Sequence, residues 1–178
     1  VYLITTNSSN LEEIVLQALK AGVKIVQYRE KFLHDNEKIS QAKCLASLCK
    51  EYNSLFVVND RIDIALAVDA DGIHLGQEDI PTKIARELLG SEKIIGRSTH
   101  CIEDIKNAED EGCDYIGIGP IFPSQTKKQL NPIGIDYLSK GLSKTLLPAF
   151  AIGGINSSNI NKLNHINNLR IAVSDAII

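Results

Sequence analysis

Short polar clusters that close apolar runs carry the side chains of this sequence that could do chemistry. In Ile25-Val26-Gln27-Tyr28-Arg29-Glu30-Lys31, an extended backbone sends alternate side chains to opposite faces, so Gln27, Arg29 and Lys31 meet while Val26 and Tyr28 turn away. Two cations and an amide then converge on one small volume. Arginine on an inward face is costly without a partner, and a phosphate or carboxylate is a ready one. The runs Val57-Val58-Asn59-Asp60-Arg61 and Gly72-Ile73-His74-Leu75-Gly76-Gln77-Glu78-Asp79 both end in carboxylates. Asp60 and Asp79 on adjacent elements suit Mg²⁺, which takes one or two carboxylates plus phosphate oxygens and water. Taken singly, Asp60 also reads as a helix cap or an ion-pair partner of Arg61, and Asp79 as a cap ahead of Pro81.

Uncharged groups make up a second set. Arg97-Ser98-Thr99-His100 brings hydroxyls to another run's end, and Ser124, Thr126 and Lys127 place hydroxyls beside a cation in a Pro-bearing connection. That connection, from Pro120 to Pro132, is long for a loop of this kind and reads as a lid that could exclude water. Paired Gly153 and Gly154 would let backbone N–H groups approach a phosphate, and Ser174 adds a hydroxyl.

The elements that must position these groups alternate throughout. Strands are expected at Tyr2–Thr5, Lys24–Arg29, Leu55–Asn59, Gly72–Leu75, Ile94–Thr99, Tyr115–Gly119, Pro148–Gly153 and Arg170–Ser174. Between them the apolar spacing predicts helices, the first with Ser9 and Glu12 as a capping box and Gly22 as its stop. The others fall at 38–52, 62–68, 81–89, 102–111, 134–142 and 157–163. Strict alternation of this kind predicts a single-domain α/β protein over 1–178, a (β/α)8 TIM barrel whose closing helix is absent from the sequence. An open doubly wound sheet would normally show a GxGxxG turn, and the one GxG, Gly117 to Gly119, runs into Pro120.

Composition narrows the function classes. With 178 residues, 44% apolar and 23% charged, the chain can bury a substantial core. Its 19 basic and 22 acidic residues give a net charge of −3 without a run of like charges, which argues against nucleic acid and membrane as partners. No apolar stretch is long enough to span a bilayer and no signal peptide stands at the start, so a cytoplasmic protein acting on small molecules is expected. Cys44, Cys49, Cys101 and Cys113 form no CxxC pair and read as reduced thiols, mostly buried. The histidines lack ligand spacing for zinc. There is no Met.

In order and position, QYREK, VVNDR, GIHLGQED, GRSTH, GPIFPSQTK and AIGGI resemble the motifs of the thiamine phosphate synthases across nearly the whole chain. The resemblance implies a transferase that joins hydroxymethylpyrimidine diphosphate to a thiazole phosphate and releases pyrophosphate, with Mg²⁺ as cofactor. It assigns Gln27, Arg29, Lys31, Asn59, Ser98 and Lys127 to the diphosphate, with Arg29, Ser98 and Lys127 as the catalytic set. Asp60 and Asp79 would bind Mg²⁺, and Ser124, Thr126, Gly154 and Ser174 the thiazole phosphate. A dissociative mechanism is implied, in which pyrophosphate departs before the thiazole nitrogen attacks. The match departs at Thr6, where the family commonly has Asp, at Arg97, which replaces an apolar residue, and at Ser124, usually threonine. In an ungapped match Asp175 replaces the phosphate-binding serine, where a carboxylate would repel phosphate; one Met before Ser174 would restore the serine's register. The alternatives are a thiazole tautomerase of the same barrel family, disfavoured by the intact diphosphate motifs, and a non-catalytic barrel that binds a phosphorylated metabolite.

Overall fold

Eight parallel strands close into a barrel in sequence order, β1 pairing with both β2 and β8. The structure is a computed structural model that describes residues 1–124, 131–174 and 176. The strands are β1 Tyr2–Ile4, β2 Ile25–Tyr28, β3 Leu55–Asn59, β4 Gly72–Leu75, β5 Ile94–Thr99, β6 Tyr115–Ile118, β7 Ala149–Ile152 and β8 Arg170–Val173, each within a residue or two of its expected bounds. Between them lie α1 Leu11–Lys20, α2 Asp35–Glu51, α3 Ile62–Ala67, α4 Thr82–Leu89, α5 Ile102–Asp110 and α6 Gly134–Leu142. The expected (β/α)8 barrel is therefore the observed fold.

Alternation along each strand builds two layers. Leu3, Val26, Tyr28, Phe56 and Val58 point outward and pack with Leu11, Val15, Ala42, Leu45 and Ile64 of the covering helices. Tyr2, Ile4, Tyr115, Phe150 and Ala172 point inward and fill the barrel. The three inner rings meet edge to face, with centroids 5.2 to 6.0 Å apart, the arrangement favoured by aromatic quadrupoles. Space for the Tyr115 ring comes from Gly96, where a Cβ would lie 2.0 Å from its Cζ.

Two local expectations are corrected. Helix α1 is preceded by Asn10 rather than capped by Ser9, and no side-chain cap bond is made. Its stop is as expected: Gly22 takes a φ of +92°, and Gly22 N–H and Val23 N–H return to the carbonyls of Leu19 and Ala18, which closes a Schellman motif. The segment expected to be the seventh helix forms only a 3-10 turn, Ile160–Leu163. Asparagine chemistry explains this. Asn156 Oδ1 accepts from Ser158 N–H, Asn159 Oδ1 from Asn156 N–H, and Asn159 Nδ2 donates to Gly154 O, so side chains take bonds that a helix would need.

Candidate active site

The carboxyl ends of the strands surround a cavity of about 310 Å³, within the usual size for a small-molecule site. Gln27, Arg29, Asn59, Ser98, Ser124, Gly154 and Ser174 all line it. Seven of the residues singled out by sequence are thereby brought together. Thr126 and Lys127, with the rest of 125–130 in the expected lid, lie outside the described residues, as does Asp175.

On the β2–β4 side, β1 holds Arg29 in place. Arg29 N–H donates to Thr5 Oγ1 at 2.9 Å, and Thr5 N–H donates to Gln27 O at 2.9 Å. Among the described residues no carboxylate forms an ion pair with Arg29. Lys31 does not line the cavity; it pairs with Asp60. The alternative pairing of Asp60 with Arg61 is not made, because Arg61 turns outward to Asp35 and Asp63. Asp60 sits in the left-handed region at φ 60°, with its N–H donating to His74 O across to β4. A strained backbone of this kind is commonly retained where function requires it.

Asp60 and Asp79 face each other within hydrogen-bonding reach. Burial works to raise Asp60, but the bond from Asp79 and the Lys31 ammonium outweigh it and hold its carboxyl below the usual range. Burial and the facing Asp60 push Asp79 up. Each carboxyl therefore shifts against the other, Asp60 giving up its proton more readily and Asp79 less readily. Asp79 is not a helix cap; it accepts from Gly76 N–H at 2.6 Å, and Pro81 precedes α4. Asp60 and Asp79 do not themselves line the cavity, although Asn59, next to Asp60, does; a pair of carboxylates suits Mg²⁺ better than a transition metal, and no group of three or more His, Cys, Asp or Glu among the described residues could form a metal cage.

The opposite side is uncharged among the described residues. Ile121 N–H and Phe122 N–H donate to Ile152 O and Gly153 O, which lays the segment 120–124 along the end of β7. The close approach requires glycine at 153 and 154: added Cβ atoms would lie 2.4 Å from Pro120 Cβ and 2.3 Å from Pro123 O, and both residues have positive φ. Ser174 Oγ is buried and has no hydrogen-bond partner among the described residues, and Ser174 lines the cavity. A buried hydroxyl without a partner is costly, and a bound oxyanion would satisfy it.

Sequence reasoning missed four inward residues. His74 and His100 line the cavity, while Tyr2 and Tyr115 lie beneath it, hydrogen-bonded to each other at 2.8 Å. Their parity along β1, β4, β5 and β6 is the signal that could have found them. His100 Nδ1 donates to Gly119 O at 2.6 Å. Arg97, unexplained by the motif, points outward from β5 to Thr82 Oγ1 at 3.1 Å and Glu111 at 3.7 Å.

Comparison with known proteins agrees with the fold. A family model described as thiamine monophosphate synthase matches residues 1–177. A thiamine-phosphate synthase of Prochlorococcus marinus is 57% identical over 175 residues, covering 98% of this chain and 51% of that protein. Its namesake in Synechocystis is 46% identical over 176 residues, covering 99% and 51%. The chain thus spans about half the length of the curated relatives it matches. A solved thiamine phosphate pyrophosphorylase from Pyrococcus furiosus superposes with a TM-score of 0.89 at 38% identity, covering 98% of this chain and 85% of that one. An N-acetylmannosamine-6-phosphate 2-epimerase from Clostridium perfringens superposes at 0.71 with 13% identity, covering 99% and 87%, a likeness of fold alone.

Proposed function

The chain belongs to the thiamine monophosphate synthase family, and from that premise we propose that its barrel joins hydroxymethylpyrimidine diphosphate to a thiazole phosphate in an Mg²⁺-dependent, dissociative reaction. The observation that carries this reading is the cavity itself. It sets Arg29, which no described carboxylate pairs, on one wall and the Ser174 hydroxyl, which has no partner among the described residues, on another. Two phosphorylated substrates need two such places. Arg29 and Lys31, with Gln27, Asn59 and Ser98, would receive the diphosphate, and Lys127 would join them. Ser124, Thr126, Gly154 and Ser174 would receive the thiazole phosphate.

Asp60 and Asp79 would hold Mg²⁺, which when bound neutralises charge on the diphosphate and its leaving group. The carbon–oxygen bond to pyrophosphate breaks first, its electron pair leaving with the pyrophosphate, while Arg29 steadies that charge in a site shielded from water. The thiazole nitrogen then forms the new carbon–nitrogen bond. Such a reaction needs no protein nucleophile. No helix among the described residues is long and apolar enough to cross a membrane, and the four cysteines are free. Both features support a cytoplasmic enzyme with small-molecule partners.

The test is pyrophosphate release from the two substrates together, with and without Mg²⁺. Release that requires both substrates and the metal is expected. Interconversion of thiazole tautomers without release would establish the isomerase reading instead, and binding of phosphorylated ligands with neither activity would establish the non-catalytic one.

A further inference from the structure

A continuous hydrogen-bond chain crosses the barrel beneath the cavity. Gln27 Nε2 donates to Tyr2 Oη at 2.6 Å, Tyr2 Oη meets Tyr115 Oη at 2.8 Å, Tyr115 Oη meets His74 Nδ1 at 3.0 Å, and His74 Nε2 meets Ser98 Oγ at 3.0 Å. Five residues from β1, β2, β4, β5 and β6 take part. Tyr2, Gln27 and His74 are buried, and Tyr115 packs its ring against Tyr2, His74 and Phe150.

An amide nitrogen only donates, so the Gln27 bond occupies an acceptor position on Tyr2, whose one proton goes to Tyr115. Tyr115 in turn gives its proton to His74 Nδ1. A neutral imidazole that accepts at Nδ1 carries its hydrogen on Nε2 and donates it to Ser98 Oγ. The Ser98 proton is then left for the cavity. Burial raises both phenols well above their ordinary value, which keeps the two hydroxyl protons in place.

We propose that this chain fixes the polarity of Ser98: Tyr2, Tyr115 and His74 are positioning residues that present the Ser98 hydroxyl to the ligand as a donor, and its partner is an oxygen of the diphosphate. This inference rests on the function proposed above, since the diphosphate is taken from it. It adds a reason for tyrosines where the barrel would otherwise accept phenylalanine. Phe150, in the same inner cluster, has no hydroxyl and takes no part. A pre-aimed donor also costs no reorganisation when charge develops on the leaving group.

The experiment is a double-mutant cycle of Ser98→Ala and Tyr115→Phe, read in kcat and in the Kd for inorganic pyrophosphate with Mg²⁺. It is accompanied by ¹⁵N NMR of His74 in the unsubstituted protein. Tyr115→Phe should lose about 10-fold, as for other orienting partners, and should lose nothing further in the Ser98→Ala background. His74 should show hydrogen on Nε2 and an accepting Nδ1. Additive losses, or hydrogen on Nδ1, would overturn the inference. Should Tyr115→Phe fail to fold, Tyr2→Phe breaks the same chain one link earlier, and the NMR measurement needs no substitution. Coupled losses in pyrophosphate affinity without turnover would reject the proposed reaction and retain the chain; turnover with additive losses would do the reverse.

Discussion

At the ends of β2 to β4, Lys31, Asp60 and Asp79 already satisfy one another, whereas at the ends of β7 and β8 the described groups are uncharged and Ser174 Oγ has no partner among them. The first region is a charge cluster of two facing carboxyls, one of them paired with an ammonium. The second is a shape, set by two glycines pressed against the 120–124 segment. Their responses to solution conditions should differ accordingly. Binding a divalent cation at the carboxylate pair needs both carboxyls ionised, and Asp79, pushed up by burial and by Asp60, is the first to take a proton, so binding weakens as pH falls. Binding at the β7–β8 end involves no titrating group among the described residues and should follow only the ionisation of the phosphate.

The pair also makes opposing contributions to folding. Asp60 is held below its ordinary value, so the stability it contributes is present above that value and is lost as pH falls through its lower folded one. Asp79 is pushed up. Its contribution is complete below the ordinary carboxylate value and is lost as pH rises through its higher folded one. The net effect is a pair that loses its protons in two separated steps as pH rises, Asp60 before Asp79.

The strongest break in the comparison is Asp79→Asn, which keeps the shape and the capacity to hydrogen-bond Asp60 but removes the charge. Mg²⁺-dependent turnover should fall about 10²- to 10³-fold, the scale of losing a preorganised electrostatic group. The fall of Mg²⁺ affinity with pH should flatten, while phosphate affinity at the β7–β8 end stays put. Calorimetric titrations with Mg²⁺ across the acidic range check this; a pH dependence equal to that of the unsubstituted protein would show that Asp79 is not the group whose titration weakens the site.

The second break targets shape. Gly154→Ala places a methyl group where Pro123 O stands 2.3 Å away and forces a φ of +66° on a residue with a Cβ, a backbone cost of about 1–2 kcal/mol before any clash. Thiazole phosphate affinity should drop about 10²-fold, since even small displacements of a positioned site are expensive. Pyrophosphate affinity with Mg²⁺ should be unchanged, and the melting temperature should fall. An alanine accepted with neither loss would mean that the close packing around Gly154 does not shape the phosphate end.

How legible each region was in the sequence follows from the same difference. Strand parity is local, so Gln27 and Arg29 could be placed on one inward face, and the observed register agrees. The six motifs closed six strand ends in order, which made the barrel readable. Lys31 was read as a third member of that face, but its long stem carries the ammonium sideways to Asp60, and side-chain reach is not a matter of parity. Tyr2 and Tyr115 escaped notice because 113 residues separate two hydroxyls that only barrel closure brings together. The 157–163 helix failed for the opposite reason: apolar spacing was present, yet four asparagines between 156 and 164 compete for the backbone. Helix propensity is a weak prior over so short a segment.

The smallest effect is expected from Ser174→Ala, and it separates binding from stability most cleanly. The hydroxyl is buried and has no partner among the described residues, so removing it should leave the melting temperature unchanged or raise it slightly, by about 1 kcal/mol of stability at most. With ligand present the sign reverses. A hydroxyl donating to a phosphate oxygen is a charge-assisted bond worth about 1.5 kcal/mol or more, so thiazole phosphate affinity should fall about 10-fold. Thermal shift measured with and without the phosphate shows both effects on one sample. A variant that loses stability in the free state would show that Ser174 Oγ is satisfied without ligand, and the β7–β8 end would no longer stand as the half that waits for its anion.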